Sequence, residues 1–336
     1  MNVAIIGTTT WGATLAIVLA RRNVPVRLWA RTEEEARTLE SARQHQARLP
    51  DYSFPPSLRV TASLADATRD CGLVIFAVPS HSLRDNARKV APHLAPSMLL
   101  VSAAKGLERS TTKRMSELLA EELPAALHSR IAVLSGPNLS REIIEGQPAS
   151  TVIAAKDEAV ATEVVGVLMS PLFRAYTNTD VTGVEFGGAF KNIIAIGAGM
   201  SDGLGYGDNA KGAFITRGLA EITRLGVAAG AKPLTFAGLS GLGDLVATCA
   251  SRLSRNYFVG EQLAKGRPLK AILAGMRNVA EGVDTTVAAL ALARRLGVDM
   301  PIAGCTYRVM FEGLDPERAV AELMARAPKR EWEGVG

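Results

Sequence analysis

Lys191 and Asn192 are the two polar side chains in an otherwise apolar and glycine-containing stretch, Phe186–Met200. Because the stretch is apolar on all sides, it predicts a helix that is buried all round. A lysine in such a helix is expected to be paired or functional. The alternative is a lysine near the helix start whose stem carries its ammonium group to solvent. Lys191 is therefore a candidate functional residue.

Two further candidate groups follow predicted strands. Lys105-Gly106 comes after the strand Met98–Ser102, and Gly136-Pro137-Asn138 comes after the strand Ile131–Leu134. In open α/β sheets, ligands bind at the carboxyl ends of parallel strands. The positions of both groups therefore favour a place at a ligand site.

A carboxylate and a phosphate-binding pattern lie further along the chain. The glycine-rich segment Gly238–Asp244 places Asp244 ahead of an apolar helix, where it could also be a simple N-cap. Ser254-Arg255-Asn256 puts a guanidinium and an amide at another predicted helix start. That combination suits an oxyanion or a phosphate.

The first turn of the chain, Gly7–Gly12 with the sequence GTTTWG, lies between a strand and a helix. This is the context of a dinucleotide-binding fingerprint, but Thr9 stands where the second glycine would let the pyrophosphate approach the backbone. The alternative is an ordinary turn in a sheet that binds no nucleotide. Thr8 and Thr10 still offer hydroxyls and amides at a helix N-terminus, which attracts phosphate.

The end of the second predicted strand bears on the choice of cofactor. An enzyme specific for NAD would carry an acidic residue there, whereas this chain has Arg31 followed by Thr32. Arginine beside a hydroxyl suits a 2′-phosphate, so NADP is predicted to be preferred over NAD. The alternative is a surface arginine that follows a strand.

The elements that position these residues change in type near residue 180. Before it, strands alternate with helices, which predicts a Rossmann-like, doubly wound, mostly parallel sheet in a dinucleotide-binding domain of residues 1–179. Thr32 and Glu35 form a capping box for a helix predicted to reach about Arg48. After residue 180 helices follow one another, which predicts an all-helical substrate domain of residues 180–336. A cleft between such domains is a usual place for a ligand.

The composition narrows the class of protein. The chain has 336 residues, 48% of them hydrophobic and 21% charged, and a net charge of +5. Aromatic residues make up 5%, too few for stacking along a basic groove, so nucleic acid is not an expected partner. The three cysteines show neither disulfide nor metal spacing, which favours a reducing, cytoplasmic location without a metal. We expect no signal peptide and no membrane span.

Together these segments resemble the bacterial NAD(P)-dependent glycerol-3-phosphate dehydrogenases over essentially the whole chain. The resemblance rests on ordered motifs in both halves. They are Trp11-Gly12, Val78–His81, Lys105–Glu108, Ser135–Pro137, Gly187–Asn192, Ala195–Gly203, Ile215–Glu221, Gly241–Leu245, Ser254–Asn256 and Glu281-Gly282.

The resemblance implies an oxidoreductase that interconverts dihydroxyacetone phosphate and sn-glycerol 3-phosphate with NADP or NAD, supplying glycerol 3-phosphate for phospholipid synthesis. The implied catalytic residues are Lys191, Asp244, Lys105 and Asn192. The implied substrate-binding residues are Lys105, Gly136, Asn138, Lys191, Asp244, Ser254, Arg255 and Asn256. The implied cofactor-binding residues are Gly7, Thr10, Trp11, Gly12, Arg31, Lys105, Ser140, Arg255, Val279 and Glu281.

Three departures from the family pattern bear on cofactor affinity and pose rather than on the chemistry. Thr9 replaces a glycine, Asn138 replaces a usual serine or threonine, and Ser140 replaces a usual alanine. Several apolar helices could bury a partner, which leaves a homodimer open.

Two other functions compete with this one. A 3-hydroxyacid or ketopantoate-type reductase also uses a lysine of the helical domain, but it would need a carboxylate receptor. A nucleotide-sensing protein without catalysis is suggested by Thr9, but the full set of Lys191, Asn192, Asp244 and Arg255 argues against it.

Overall fold

The computed structural model describes residues 1–276, 278–328 and 330–331, which form two compact units. The first unit comprises Met1–Ala104 and Met115–Val181, and the second comprises Lys105–Arg114 and the chain from Thr182 onward. Lys105–Arg114 thus belongs with the second unit although it lies in the range predicted for the first domain. The end of the predicted second domain, residues 332–336, lies outside the described residues.

The first unit is built on an eight-stranded sheet in the order β10-β9-β8-β7-β6-β1-β2-β5. Neighbouring strands are parallel except for β8 and β9, so the predicted mostly parallel, doubly wound sheet is confirmed. The strands are β1 (Asn2–Ile6), β2 (Val26–Trp29), β5 (Leu58–Thr61), β6 (Cys71–Phe76), β7 (Leu99–Ser102), β8 (Ile131–Ser135), β9 (Ala149–Ala155) and β10 (Phe173–Asn178).

Both faces of this sheet are covered by hydrophobic cores, as expected for parallel strands. In β1, Val3 and Ile5 belong to one buried cluster, while Ala4 and Ile6 belong to another on the opposite face. The covering helices are α1 (Thr10–Ala20), α2 (Glu33–Ala42), α3 (Leu64–Thr68), α4 (Leu83–Val90), α5 (Met115–Glu122), α6 (Ser140–Ile144) and α7 (Glu158–Leu168). The apolar runs of the strands are therefore explained by burial on both sides.

The prediction that the helix after Thr32 reaches Arg48 is wrong. The helix α2 ends at Ala42, because Arg43 adopts a left-handed backbone conformation with φ of 50°. Beyond it the chain forms a short antiparallel ladder between β3 (Gln44–His45) and β4 (Leu49–Ser53). The hairpin carries few apolar residues, so its strands leave no alternating pattern in the sequence.

In the described residues of the second unit the regular elements are helices, and an isolated bridge joins Leu107 and Arg114. Its central helix is α8 (Val181–Gly203), in which every residue from Gly183 to Met200 is buried. This confirms the predicted helix buried all round. The other helices are α9 (Asp208–Ala228), α10 (Pro233–Phe236), α11 (Asp244–Ala250), α12 (Arg255–Ala264), α13 (Leu269–Ala274), α14 (Glu281–Leu296), α15 (Pro301–Phe311) and α16 (Pro316–Met324).

One stretch of the described chain, Pro233–Ala250, has the length and mean hydropathy of 1.2 that a membrane span requires. It is not a continuous α-helix, since a π-helical turn at Leu239–Gly243 separates α10 from α11. It also contributes Phe236, Leu245 and Cys249 to the core of the second unit. We therefore interpret it as a core segment of that unit.

Candidate active site

A buried cluster of charges in the second unit is centred on Asp244. Lys191 Nζ donates hydrogen bonds to Asp244 Oδ1 and, at 2.6 Å, to Thr248 Oγ1. Lys105 Nζ donates to the other carboxylate oxygen, Asp244 Oδ2, at 2.6 Å. Lys191 is 7% exposed and Asp244 is 1% exposed. The Lys191 amine thus points into the unit and away from bulk water.

The position of Asp244 depends on the close approach of two backbones. Asp244 begins α11 directly after the π-helical turn Leu239–Gly243, and this turn packs on α8 at Gly187. A Cβ built on Gly187 would lie 2.6 Å from Ser240 O, closer than real Cβ contacts allow. Glycine at 187 therefore lets the turn reach α8, so that the carboxylate at its end meets the amine one turn further along that helix.

Burial changes the protonation of Lys191. The pKa of Lys191 falls from 10.5 to about 8, chiefly because burial removes water from the ammonium. The Asp244 carboxylate opposes this decrease, and the second ammonium at Lys105 adds to it. A lysine with a pKa near 8 can both donate and accept a proton close to neutral pH, as acid–base catalysis requires.

Thr248 is a member of this cluster that the sequence analysis did not name. It lies one helical turn after Asp244 on α11, and its Oγ1 accepts from Lys191 while it donates to Asp244 Oδ1 at 3.3 Å. The spacing of four residues, which puts two side chains on one face of a helix, is the feature that could have identified it.

Asn192 and Asn256 connect the helices around the cluster. Asn256 Nδ2 donates to Asn192 Oδ1 at 2.8 Å, and Asn256 Oδ1 accepts from the backbone N–H of Gly282 at 2.9 Å. Both asparagines are buried. Asn256 thereby ties α12 to α8 and to the start of α14, and the geometry favours a positioning role for its side chain.

The remaining predicted residues of the second unit lie at helix starts and in the connecting segment before α14. Ser254 is the N-cap of α12 and accepts from Tyr257 N at 3.2 Å. Arg255, the first residue of that helix, is exposed. Val279 is 39% exposed just before α14, which begins at Glu281. An exposed guanidinium at the N-terminus of a helix can receive a phosphate.

In the first unit, the turn between β1 and α1 retains the backbone features of a dinucleotide-binding turn. Gly7 has φ of 112°, and a Cβ on Gly12 would lie 2.2 Å from Gly7 O. Thr9 is accommodated as the N-cap of α1: its Oγ1 accepts from Gly12 N at 3.0 Å and donates to Ala77 O at 2.6 Å. The missing glycine is therefore replaced by side-chain bonds that hold the turn in place.

Other predicted residues of the first unit surround this turn or lie at neighbouring strand ends. Thr10 and Trp11 open α1, and the Arg31 side chain is exposed after β2. After β8, Asn138 Nδ2 donates to Thr151 Oγ1 at 3.0 Å, and a Cβ on Gly136 would lie 3.0 Å from Thr151 Cα. Gly136 has φ of 143°, and Ser140 begins α6.

The predicted residues divide between the two units. The first unit holds Gly7, Thr10, Trp11, Gly12, Arg31, Gly136, Asn138 and Ser140, and the second holds Lys105, Lys191, Asn192, Asp244, Ser254, Arg255, Asn256, Val279 and Glu281. Within the second unit, direct bonds join Lys105, Lys191 and Asp244 in one cluster and Asn192 and Asn256 in another.

The first unit has a doubly wound sheet with a phosphate-binding type of turn, and the helical unit holds a buried lysine–carboxylate cluster. These features define the class of two-domain nicotinamide-dependent dehydrogenases. Comparison with known proteins narrows this class. Family models described as NAD-dependent glycerol-3-phosphate dehydrogenase N-terminus and C-terminus match residues 2–161 and 180–321. The chain belongs to the NAD-dependent glycerol-3-phosphate dehydrogenase family.

Individual relatives agree over nearly the full length. A protein of Dehalococcoides mccartyi named glycerol-3-phosphate dehydrogenase [NAD(P)+] is 53% identical, covering 99% of this chain and 93% of its own. A protein of the same name from Streptomyces griseus is 47% identical, covering 98% of both chains. The crystal structure of glycerol-3-phosphate dehydrogenase from Coxiella burnetii is 34% identical with a TM-score of 0.91, covering 97% of this chain and 99% of that one.

Proposed function

We propose that the chain catalyses the reversible reduction of dihydroxyacetone phosphate to sn-glycerol 3-phosphate with NADPH or NADH. The observation that carries the proposal is the buried Lys191 amine, bonded to Asp244 and Thr248, in a chain that belongs to this dehydrogenase family. When bound, the nicotinamide supplies the hydride chemistry, and the chain supplies position, charge and a proton.

Lys191 is the proposed proton donor and acceptor. In the reducing direction its ammonium stabilises the charge that develops on the C2 oxygen of the substrate and then donates a proton to that oxygen. In the oxidising direction the neutral amine accepts the proton of the C2 hydroxyl. Asp244 orients the amine through its bond to Nζ, and Lys105 shares the same carboxylate.

Arg255 is the proposed grip on the substrate phosphate. Its exposed guanidinium lies at the first position of α12, beside an N-cap at Ser254 that fixes the first turn. Because the phosphate is remote from the reacting carbon, this binding energy can be used to align the carbonyl for reaction. Asn256 supports the grip indirectly, since its side chain holds α12 against α8 and α14.

The residues of the first unit fit a dinucleotide. The positive φ of Gly7 and the close approach of Gly12 to Gly7 O form the tight strand-to-helix turn on which a pyrophosphate binds in such sheets. Gly7, Thr10, Trp11 and Gly12 would hold the phosphates, and Arg31 would receive a 2′-phosphate. Ser140, together with Lys105, Arg255, Val279 and Glu281, completes the proposed cofactor contacts.

The decisive experiment follows absorbance of the nicotinamide with dihydroxyacetone phosphate and each cofactor in turn. Lys191→Ala should lose at least about a hundredfold in kcat, the usual scale of general acid–base catalysis, while NADPH still binds. Arg255→Ala should lower kcat as well as raise KM. Near-normal turnover by Lys191→Ala would eliminate the lysine mechanism.

A panel of ketones separates the competing functions. If ketopantoate or a 3-oxoacid is reduced and the phosphorylated ketone is not, the chain is a carboxylate-directed reductase. If NADPH binds and no ketone is reduced, the chain is a nucleotide sensor. Reduction of dihydroxyacetone phosphate alone supports the proposal.

The cellular setting is proposed from the function. Since glycerol 3-phosphate is the backbone of glycerophospholipids, the enzyme would supply it for their synthesis. The proposed location is the cytoplasm, and the proposed partner is a small phosphorylated substrate rather than a nucleic acid. A homodimer is proposed from the exposed apolar side chains of the second unit, among them Phe258, Leu273 and Phe311. Light scattering at two protein concentrations tests the dimer, and a monomeric mass would refute it.

A further inference from the structure

The first turn of the chain is tied to the end of β2 through one carboxylate. Thr8 Oγ1 donates a hydrogen bond to Glu35 Oε1, and Glu35 Oε2 accepts from the backbone N–H of Arg31 at 3.2 Å. His45 Nε2 also lies 3.0 Å from Thr8 O. Glu35 therefore links the β1–α1 turn to Arg31, the second residue after β2.

This position differs from the one that the capping-box pattern predicts. One half of the box forms, since Thr32 Oγ1 accepts from Glu35 N at 3.2 Å. In the other half, a glutamate would turn back to the N-cap N–H, which is that of Thr32. Here the carboxylate instead reaches Thr8, 27 residues earlier, and Arg31. Its location is thus set by the turn as well as by its own helix.

The location matters because Rossmann-type sheets place the adenosine ribose between these two segments. The pyrophosphate lies at the first turn, and the group after the second strand contacts the ribose 2′ position. A carboxylate there accepts a hydrogen bond from a 2′-hydroxyl and repels a 2′-phosphate, whereas a guanidinium attracts the phosphate. The chain holds both groups, since Arg31 lies directly before the N-cap Thr32 and Glu35 lies in the first turn of α2.

We propose that Glu35 is a specificity-determining residue that opposes Arg31 at the adenosine ribose, so that the chain accepts both NAD and NADP. Glu35 favours the ribose with a free 2′-hydroxyl, and Arg31 favours the ribose with a 2′-phosphate. Thr8 keeps the carboxylate in place. This inference rests on the proposed function, and it assigns the selectivity of the cofactor site to one pair of residues.

The test is calorimetric binding of NADP and of NAD to the full chain, with no substrate present. Glu35→Gln removes the charge, while its amide oxygen can still accept from the Arg31 N–H and its NH2 group can donate to Thr8 Oγ1. Its Kd for NADP should fall by about tenfold, the scale of one charge interaction near a protein surface. Its Kd for NAD should stay unchanged or rise. The ratio of the two Kd values is the readout.

The matched control is Glu34→Gln, which removes the same charge from the exposed neighbouring position of α2. It should change the ratio by less than about twofold, because long-range charge is screened at the surface. Arg31→Ala should move the ratio the other way, with weaker NADP binding. Thr8→Val, which frees the carboxylate, should move it in the same direction as Glu35→Gln by a smaller factor, and it serves if Glu35→Gln does not fold.

Equal effects of Glu35→Gln on both cofactors, or a ratio that matches the Glu34→Gln control, would overturn the inference. Neither result touches the proposed reaction, which the dihydroxyacetone phosphate assay of the unaltered chain tests separately. An unaltered chain that binds neither dinucleotide contradicts the inference and the proposed function together.

Discussion

Lys191 has two charged neighbours, Asp244 and Lys105. Removing the charge of one should shift the pKa of the Lys191 amine in the opposite direction to removing the charge of the other. Asp244→Asn removes the negative charge that stabilises the ammonium, so the pKa of Lys191 should decrease. Lys105→Met removes a positive charge that opposes the ammonium, so the pKa should increase. Both changes act on one carboxylate, to which each lysine donates a hydrogen bond.

The sizes of these two pKa changes follow from the structure. The pKa of Lys191 is lowered from 10.5 to about 8. At about 1.4 kcal/mol per pKa unit, its site disfavours the ammonium by roughly 3 kcal/mol. An opposite charge at hydrogen-bond distance is worth about 1 to 3 pKa units, so Asp244→Asn should bring the value to between about 5 and 7. Lys105 acts through the far carboxylate oxygen and is partly exposed, so its removal should raise the value by about 1 unit.

The assay is the pH dependence of glycerol 3-phosphate oxidation. In this direction the neutral amine is the base, so kcat/KM should rise with pH through the pKa of the free enzyme, near 8 for the unaltered chain. The inflection, rather than the height of the profile, is the readout, because both variants also lower the rate. Thr248→Val serves as the control, since it removes a neutral partner of the same amine.

The reasoning fails if both variants move the inflection in the same direction or leave it in place. It also fails if Thr248→Val moves the inflection as far as Asp244→Asn, since the effect would then come from packing rather than charge. Thermal unfolding of each variant, followed by circular dichroism, identifies any that no longer fold.

Further outcomes are expected at three positions, Gly187, Glu221 and Thr9, and their effects on stability are measurable by urea unfolding. Gly187→Ala should lower the free energy of unfolding by about 1–3 kcal/mol and also lower turnover, because its Cβ would meet Ser240 O at 2.6 Å. The control is Gly212→Ala, at an open and exposed helix position, which should instead stabilise the protein by up to about 1 kcal/mol. Glu221→Ala should destabilise by about 2–4 kcal/mol, because its buried carboxylate accepts two backbone N–H groups at the start of α15. Burial raises the pKa of Glu221 from 4.5 to about 7. Its contribution to stability should therefore be fully present below pH 4.5 and lost as the pH rises through about 7. Glu221→Gln should remove this pH dependence. Thr9→Ala should cost about 1 kcal/mol and weaken dinucleotide binding, because the turn loses its cap; unchanged stability would show that the Thr9 hydroxyl does not hold the turn.

Much of the fold could be predicted from sequence because its periodicities are strong. The parallel strands are apolar on both faces, and the long apolar run that contains Lys191 marks α8. The hairpin after α2 could not be predicted, because it depends on the left-handed backbone of Arg43 rather than on a hydrophobic pattern. Local patterns thus identify elements with a buried face and miss those without one.

Only part of the candidate site could be predicted from the sequence. Residue type and helix position sufficed to name Lys191, Asp244 and Arg255 as candidates. The partners of a side chain are set by contacts that are distant in sequence, so Thr248 and the carboxylate of Glu35 were not assigned to a site. Glu35 shows the limit most clearly, because its pattern predicts a cap and its contacts reach another element.

In the proposed mechanism, the sharing of Asp244 would let Lys191 donate and accept a proton near neutral pH. A buried lysine paired with its own carboxylate would stay an ammonium and could not accept a proton, whereas an unpaired one would be neutral and could not stabilise an oxyanion. Here burial lowers the pKa of Lys191 to about 8, and the one carboxylate that opposes this decrease also pairs with Lys105. With two ammonium groups and one carboxylate, the protonated cluster carries one net positive charge. In the proposed reaction, that charge would suit a phosphorylated ketone whose oxygen becomes negative during reduction. The same imbalance of charge would then supply both the proton equilibrium and the electrostatic stabilisation.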